Sequence, residues 1–308
     1  MPNPCYKLAA VIYRKTQIEA LKKRIKKKEG MEINKTYNEN CLDTMKNMPN
    51  GFIDLVVTSP PYDGMRTYNG YSFPFEDIAK ELYRVVKDGG VIVWIVGDAT
   101  VNGSESGTSF RQALFFKEVG FNLYDTMFYE KASRIPTEGR YYNTVEYMFV
   151  LSKGKPKALN FICDHKNLTE GQSRIKDKCI NKGKNEKKEG EYLVTGEFSR
   201  RSNVWRYGTG RPTDLTKILN ETGLKHPAIA PEKLVADHII SWSNENDLIY
   251  DPFMGSGTTA KMSILNNRKY IGSEISEDYC KIIETRIKEC GGLFFNSFQT
   301  ELSNEAGT

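Results

Sequence analysis

Two stretches of the sequence alternate short apolar runs with longer segments of helical periodicity. The first predicts strand 53–58, helix 75–87, strand 91–96, helix 109–119 and strands 123–130 and 144–152. The second predicts helix 231–243, strand 247–251, helix 257–266, strand 270–274 and helix 276–289. Strands that alternate with helices are typical of a parallel sheet with helices on its faces, because each parallel connection must cross over the sheet. We therefore predict an α/β fold, in which the two adjacent strands that end the first stretch can pair antiparallel.

The segment between these stretches has a different character. Residues 153–202 are rich in Lys, Asn, Gly and Glu, with little periodicity and few large apolar side chains. This composition indicates an inserted and partly flexible module. The predicted organisation is a basic helical extension at 1–30 with its helix at about 7–29, one half of the sheet domain at 31–152, the insert at 153–202, the other half at 203–291 and a tail at 292–308.

Composition favours a globular protein with a substantial core. The chain has 308 residues, of which 39% are apolar, and no apolar run approaches the roughly 20 residues of a membrane span. The N-terminus also lacks the apolar core and cleavage site of a secretory signal. Six cysteines without C-x-x-C spacing and only three histidines make zinc sites and disulfides unexpected. We expect a cytoplasmic protein with reduced thiols, no metal and no membrane partner.

The net charge of +5 is concentrated in two basic blocks. Residues 1–30 contain nine Lys or Arg against two Glu, and residues 151–211 contain fifteen basic against seven acidic residues. This distribution suits a polyanionic partner. For the first block a solvated helix or tail explains the charge equally well, whereas for the second block we favour nucleic acid.

An unusual loop follows the apolar run that ends at residue 57: Thr58, Ser59, Pro60, Pro61 and Tyr62. The two prolines exclude a helix and hold the loop in extended geometry. The carbonyls of Ser59 and Pro60 can accept hydrogen bonds from an amine, and the serine hydroxyl can donate or accept one. A base stacked on Tyr62 would gain roughly 1–3 kcal/mol. A proline-rich turn is the alternative for the Pro-Pro-Tyr triplet alone, but the whole loop, hereafter the serine–proline loop, indicates a pocket for a flat amine.

A second loop, residues 251–259, joins the predicted strand 247–251 to a helix and contains Gly255 and Gly257. Glycines let the backbone approach a ligand, and the helix N-terminus can bind an anion. Glu274 ends the next strand, where a carboxylate can accept the hydroxyls of a ribose. A P-loop would need Lys where Thr258 stands, and a full dinucleotide fingerprint would need Gly where Ala260 stands. This glycine loop therefore predicts a site for a nucleoside with a charged tail.

Both loops resemble motifs of the amino-methyltransferases, which methylate the exocyclic nitrogen of cytosine or adenine in DNA. The serine–proline loop resembles motif IV, the glycine loop resembles motif I, and Glu274 resembles the motif II acid. Residues 203–205 and 226–234 resemble the segment that leads into motif X, although Ala230 stands where related sequences commonly carry a bulky or basic residue. The motif order is that of the β class of DNA methyltransferases, and the resemblance covers about residues 36–290.

This resemblance implies a Rossmann-like methyltransferase sheet with circularly permuted motifs, S-adenosylmethionine as cofactor and duplex DNA as partner, with the target base flipped. A homodimer and a cognate restriction endonuclease are further candidate partners. The residues implied at the target base are Ser59, Pro60, Pro61 and Tyr62. Those implied at the cofactor are Asp251, Pro252, Phe253, Gly255, Gly257, Thr258 and Glu274. Asp98, at the end of strand 91–96, is expected to line the crevice that opens at the ends of parallel strands.

Ser59 guides the choice of base. Serine at this position resembles the cytosine-N4 subgroup, whereas adenine-N6 enzymes more often carry Asp or Asn. We therefore favour a site-specific cytosine-N4 DNA methyltransferase of a restriction-modification system, with an adenine-N6 enzyme as the alternative and with residues 153–202 reading the recognition sequence. Protein-glutamine and RNA methyltransferases have motif I before an Asn-Pro-Pro-Tyr motif, and a non-catalytic DNA-binding protein would have degraded loops, so these classes fit less well.

Overall fold

The computed structural model describes residues 31–61, 73–132, 139–168, 170–171, 173–175, 192–208, 212–223 and 229–290. The helix expected at 7–29, the tail at 292–308 and Tyr62 lie outside these ranges. The strands are β1 Lys35–Tyr37, β2 Ile53–Thr58, β3 Val86–Val96, β4 Thr100–Val101, β5 Ser104–Glu105, β6 Asn122–Lys131, β7 Val145–Ser152, β8 His165–Lys166, β9 Ser173–Ile175, β10 Tyr192–Val194, β11 Phe198–Ser199, β12 Val204–Tyr207, β13 Leu248–Asp251 and β14 Lys269–Ser273. The helices are α1 Cys41–Asn47, α2 Phe75–Val85, α3 Thr108–Val119, α4 Thr213–Thr222, α5 Glu232–Trp242, α6 Thr258–Leu265 and α7, residues 277–290.

An eight-stranded sheet in the order β1-β14-β13-β2-β3-β7-β6-β12 forms the centre of the described structure. Neighbouring strands are parallel except at β7, which runs antiparallel to both β3 and β6. The predicted α/β class and the predicted antiparallel pair are therefore confirmed. Central strand β2 is buried at five of its six positions, as expected for a strand covered on both faces.

Helices cover both faces of this sheet. Successive strand residues point to opposite faces, so Ile92 belongs to a core shared with α1, α2 and α3, and Val93 to a core shared with α5 and α6. Helices α4 and α7 pack against each other through Ile218 and Ile282. None of the helices in the described ranges is long and apolar enough to cross a bilayer.

One predicted boundary is wrong. The sequence suggested a helix to residue 87 and a strand from 91, with the glycine pair as the stop, but α2 ends at Val85 and β3 begins at Val86. Val86 is fully buried and pairs with Ile53, so burial starts the strand before the glycines. The register then shifts before Val91, and Gly89 has a φ of +81° in this irregular segment. The glycines therefore accommodate a bulge inside the strand.

Within the insert, residues 164–168, 170–171, 173–175 and 192–201 form a ribbon of paired strands. β8 pairs antiparallel with β11, and β9 with β10. Backbone hydrogen bonds from Asn167 to Glu197 (2.8 Å) and from Gly171 to Thr195 (2.9 Å) connect the two pairs of strands. This segment is hereafter called the ribbon.

Candidate functional site

The serine–proline loop and the glycine loop begin at the carboxyl ends of two adjacent parallel strands, β2 and β13. In the register of this pair Tyr250 lies opposite Val56, so Thr58 and Asp251 end their strands side by side. The Thr58 hydroxyl donates a hydrogen bond of 2.7 Å to Oδ1 of Asp251. The two loops that sequence analysis singled out are therefore joined directly at one edge of the sheet.

Asp251 is the centre of a buried hydrogen-bond network. Its Oδ1 also accepts from the backbone N–H of Phe253 at 3.0 Å, and its Oδ2 accepts from the hydroxyl of Thr259 at 2.7 Å. Burial raises the pKa of this carboxyl above its ordinary value, while the hydroxyl donors Thr259 and Thr58 act in the opposite direction. The contacts of this carboxylate are with the protein: it ties β2, the glycine loop and α6 together.

The glycine loop depends on backbone geometry that its two glycines allow. Gly255 and Gly257 have φ values of +55° and +81°, in the left-handed region that favours glycine. A Cβ on Gly257 would lie 3.0 Å from Cγ1 of Ile283 in α7, so this position also needs the absence of a side chain. Helix α6 starts directly afterwards at Thr258 without a side-chain cap. Its first N–H groups are those that can bind an anion.

Glu274 closes the other side of this loop. The backbone N–H of Gly255 donates to Oε2 and that of Ser276 to Oε1, both at 2.8 Å. Burial raises the pKa of this carboxyl, and these backbone donors partly offset the effect. Each carboxylate oxygen can accept more than one hydrogen bond, so the group retains acceptor capacity for a diol. The loop is also pressed onto β14, since a Cβ on Gly272 would lie 2.1 Å from Cε of Met254.

An arginine that sequence analysis did not select supports the same loop from below. Arg286 in α7 is fully buried, and its Nη1 donates to the carbonyl of Ser256 at 2.6 Å. Its other nitrogens contact Asp214 at 3.1 Å and Glu232 at 2.6 Å, and Lys261 binds the same two carboxylates. The signal available in the sequence was a charged residue in register with the apolar positions of the helix, Ile282 and Ile283.

Aromatic rings pack beneath the glycine loop. Phe253 is half-buried, and its ring lies 5.6 Å from that of Phe73 and 6.3 Å from that of Trp94, both in edge-to-face geometry. Trp94 is itself fixed by a 2.8 Å hydrogen bond from Nε1 to Gln112. The loop therefore rests on the core that covers one face of the sheet.

The other residues expected at the target base lie at the same edge. Ser59 is exposed directly after Thr58, Pro60 is buried and Pro61 is half-buried; Tyr62 lies outside the described residues. Asp98 follows β3 at this edge, where its Oδ1 accepts from the Ser106 hydroxyl at 3.0 Å and from the backbone N–H of Ser109 at 2.9 Å. Asp98 therefore caps the start of α3.

Taken together, the glycine loop, the uncapped start of α6 and Glu274 fit a nucleoside that carries a charged tail, as S-adenosylmethionine does. The uncapped N–H groups suit the carboxylate of the tail, and Glu274 suits the ribose hydroxyls. The neighbouring serine–proline loop provides acceptors for an amine. This arrangement is suited to holding a methyl donor and an amine side by side.

Comparisons with known proteins agree with this geometry. Residues 53–285 match a family model described as DNA methylase, which covers the N6 and N4 methyltransferases. The orphan methyltransferase M.BamHII of Bacillus amyloliquefaciens is 56% identical over 244 residues, which span 77% of this chain and 89% of that protein. The Type II methyltransferase M.BglII of Bacillus subtilis is 26% identical over 260 residues, 81% of this chain and 68% of the relative.

Solved structures share the fold. The PvuII DNA methyltransferase (cytosine-N4-specific) superposes with a TM-score of 0.62 at 23% identity, over 82% of this chain and 85% of that one. The complex of M1.HpyAVI with S-adenosylmethionine has a TM-score of 0.52 at 22% identity, over 82% and 98% of the two chains. With the family match and the 56% identical relative, these findings lead to one conclusion. The chain belongs to the DNA methylase family and is a DNA methyltransferase that uses S-adenosylmethionine.

Proposed function

We propose that this chain methylates N4 of cytosine in duplex DNA, after the target base has been flipped into the pocket beside the serine–proline loop. The observation that carries the proposal is the position of Ser59. It is exposed at the carboxyl edge of the sheet, one residue after Thr58, which is hydrogen-bonded to the first residue of the glycine loop. A serine at this point has the donor and acceptor capacity to hold an exocyclic amine, and the resemblance to the cytosine-N4 subgroup rests on the same residue.

The reaction requires alignment more than chemical activation. When bound, S-adenosylmethionine supplies the methyl group on an activated sulfonium. The Ser59 hydroxyl and the Pro60 carbonyl accept hydrogen bonds from the amine, which polarises it and directs its nitrogen towards the methyl donor. Tyr62 stacks on the flipped base, while Pro60 and Pro61 keep the acceptors rigid. Flipping costs a few kcal/mol, which the pocket contacts offset.

Some of the proposed cofactor residues contact the cofactor, and the others shape the glycine loop. Glu274 accepts hydrogen bonds from the ribose hydroxyls, and the N–H groups at Thr258 bind the carboxylate tail. Phe253 offers a ring for the adenine. The shape of the glycine loop depends on Pro252, Gly255 and Gly257. Asp251 affects cofactor binding indirectly, because it holds this loop to β2.

The ribbon is proposed to read the recognition sequence. A two-stranded β-ribbon fits the major groove of DNA, and the surrounding residues 151–211 carry an excess of basic side chains that suits phosphates. On this proposal, residues 153–202 form a target-recognition module inserted between the two halves of the methyltransferase domain.

The biological setting of such an enzyme is the cytoplasm, with DNA as substrate. The relative that is 56% identical is named an orphan methyltransferase, and the more distant M.BglII is named a Type II methyltransferase. We propose a modification enzyme whose partner endonuclease, if encoded, recognises the same site. DNA methylated by this chain would then resist that endonuclease.

The proposal is tested by incubating the purified chain with labelled S-adenosylmethionine and duplex DNA of mixed sequence, then digesting the product to nucleosides. We expect label in N4-methylcytosine. Label in N6-methyladenine would replace cytosine with adenine as the target. An absence of label in DNA, from protein that binds the cofactor, would refute the proposed function.

A further inference from the structure

Arg201, near the end of the ribbon, joins three parts of the molecule through one guanidinium group. Its Nε lies 3.0 Å from each carboxylate oxygen of Asp164, at the start of the opposite strand of the ribbon. Its Nη1 donates to Oδ2 of Asp237 in α5 at 2.8 Å and to the hydroxyl of Tyr207 in β12 at 2.9 Å. The ribbon is therefore clamped at its base to a helix and a strand of the methyltransferase domain.

The inner half of this clamp is buried. Tyr207 donates to Oδ2 of Asp237 at 2.6 Å, and the guanidinium of Arg201 lies 5.1 Å from the centre of the Trp205 ring. Burial and the neighbouring Asp237 raise the pKa of Tyr207, so its hydroxyl stays protonated and keeps donating. The outer half is accessible, since the side chain of Asp164 is 49% exposed. Removal of the Asp164 carboxylate should therefore affect the stability of the fold little. It removes the contact between Arg201 and the opposite strand of the ribbon.

Helix α5 connects these contacts of Arg201 to the glycine loop. Glu232, its first residue, contacts Arg286, which supports the carbonyl of Ser256 in the glycine loop. Asp237, which holds Arg201, lies five positions further along, about 7.5 Å at the rise of an α-helix. Helix α5 therefore contacts both the ribbon, through Asp237, and Arg286, through Glu232. The contacts of Arg201 fix the orientation of the ribbon relative to this helix.

We propose that Arg201 is a positioning residue for target selection: it fixes the ribbon on α5 so that base reading and methyl transfer stay in register on the DNA. This rests on the proposed role of the ribbon in DNA recognition. The planar fork of arginine presents donors to Asp164 along one edge and to Asp237 and Tyr207 from another nitrogen, a fixed geometry that the compact ammonium of lysine does not match. A released ribbon still binds DNA, but it presents its side chains at a variable angle.

The test compares Asp164→Ala and Arg201→Lys with the wild type. Methylated sites on a plasmid are mapped base by base, and kcat/KM is measured for the preferred site and for sites with one changed base pair. We expect both variants to lower the ratio between these sites at least tenfold, with cofactor affinity within twofold of wild type. Asp88→Ala is the matched control, because it removes an equally negative and more exposed carboxylate whose contact is with Lys153; its ratio should equal that of the wild type.

Two results would overturn the proposal. An Asp164→Ala protein with the wild-type ratio and wild-type KM for DNA would show that the clamp does not set recognition, and this variant decides the matter if Arg201→Lys does not fold. A loss of cofactor affinity as large as the loss of discrimination would indicate a general effect on the fold. A wild-type chain that methylates no DNA would instead refute the proposed function itself.

Discussion

The hydroxyl of Thr58 donates a 2.7 Å hydrogen bond to Oδ1 of Asp251, although 193 positions separate the two residues. Both groups are buried, so the bond is shielded from water. It fixes the start of the serine–proline loop to the start of the glycine loop. On the proposed function, this bond helps to hold the amine and the methyl donor in a common frame.

Replacing Thr58 by Val should weaken this frame. The change keeps the shape of the side chain but removes a donor from a buried carboxylate, which typically costs about 1–3 kcal/mol. We expect a loss of that size in the free energy of unfolding, measured in urea, and a weaker affinity for S-adenosylmethionine by calorimetry. Thr285→Val, on the exposed side of α7, removes only a bond to its own helix at 2.9 Å and should change neither quantity. Equal effects of the two substitutions would contradict the role given to Thr58.

Ser59→Ala should separate chemistry from cofactor binding. On the proposed mechanism the serine hydroxyl contacts the amine and not the cofactor, so turnover should fall about a hundredfold or more, with the cofactor dissociation constant within twofold of wild type. Tyr62→Ala should likewise retain cofactor binding while losing turnover. The exposed Ser104 supplies the control variant Ser104→Ala, which should retain activity. A loss of cofactor affinity in Ser59→Ala would show that the roles are divided incorrectly.

Gly257→Ala should lower both the stability of the protein and its affinity for the cofactor, because the new methyl group distorts the glycine loop. Two causes contribute, and a control variant separates them. The new Cβ would meet Cγ1 of Ile283 at 3.0 Å, and the φ of +81° disfavours any side chain. Gly154 has a φ of +75° with nothing within 4 Å of its Cβ position, so Gly154→Ala reports the backbone penalty alone, about 1–2 kcal/mol. We expect Gly257→Ala to lose more stability than this control and at least tenfold in cofactor affinity. Matching losses in the two variants would mean that Ile283 yields freely.

Arg286→Met should expose how much the glycine loop depends on its buried support. Removing the guanidinium leaves the Ser256 carbonyl without its 2.6 Å donor and leaves Asp214 and Glu232 with Lys261 alone. Breaking a buried ion pair in this way typically costs about 3–5 kcal/mol. The loss should appear in urea unfolding and as weaker cofactor binding. Lys281→Met on the same helix, where the side chain is 62% exposed, should unfold at the same urea concentration as the wild type; an equally mild Arg286 variant would refute the argument.

His238 should make stability depend on pH. Burial lowers the pKa of this histidine to about 3; its ring packs on Trp205 at 4.6 Å, and Nδ1 accepts from Nε1 of Trp242 at 3.3 Å. Between the ordinary pKa of about 6.5 and the lowered one, the unfolded chain binds a proton that the folded chain does not. The histidine therefore contributes a loss of about 2 kcal/mol in unfolding free energy between pH 7 and pH 5.

The variant His238→Phe keeps a ring at this position but cannot titrate. Its unfolding free energy, measured in urea at pH 7 and at pH 5, should fall less over this interval than that of the wild type. If the two proteins lose the same amount, the histidine is not held neutral in the folded state.

Sequence patterns predicted the long core elements because burial on both faces leaves near-continuous apolar runs, as in β2. Elements that bury little were missed: β1 has three half-buried residues, and β12 alternates exposed and buried positions over only four. Helix α4 was also missed, although Leu215, Ile218 and Leu219 bury one face of it. The glycine pair predicts a helix end at residue 87, but the burial of Val86 ends α2 and starts the strand earlier.

The sequence by itself determined the α/β class and the positions of the two loops, because proline and glycine restrict or release the backbone locally and apolar runs encode burial. Only the tertiary structure decided which loops are neighbours. Strand order is set by packing between distant segments, so the contact between Thr58 and Asp251 could not be read from either loop. For the same reason the sequence could not show that Arg286 supports the glycine loop. This buried guanidinium stabilises the loop only because α4, α5, α7 and the loop meet around it.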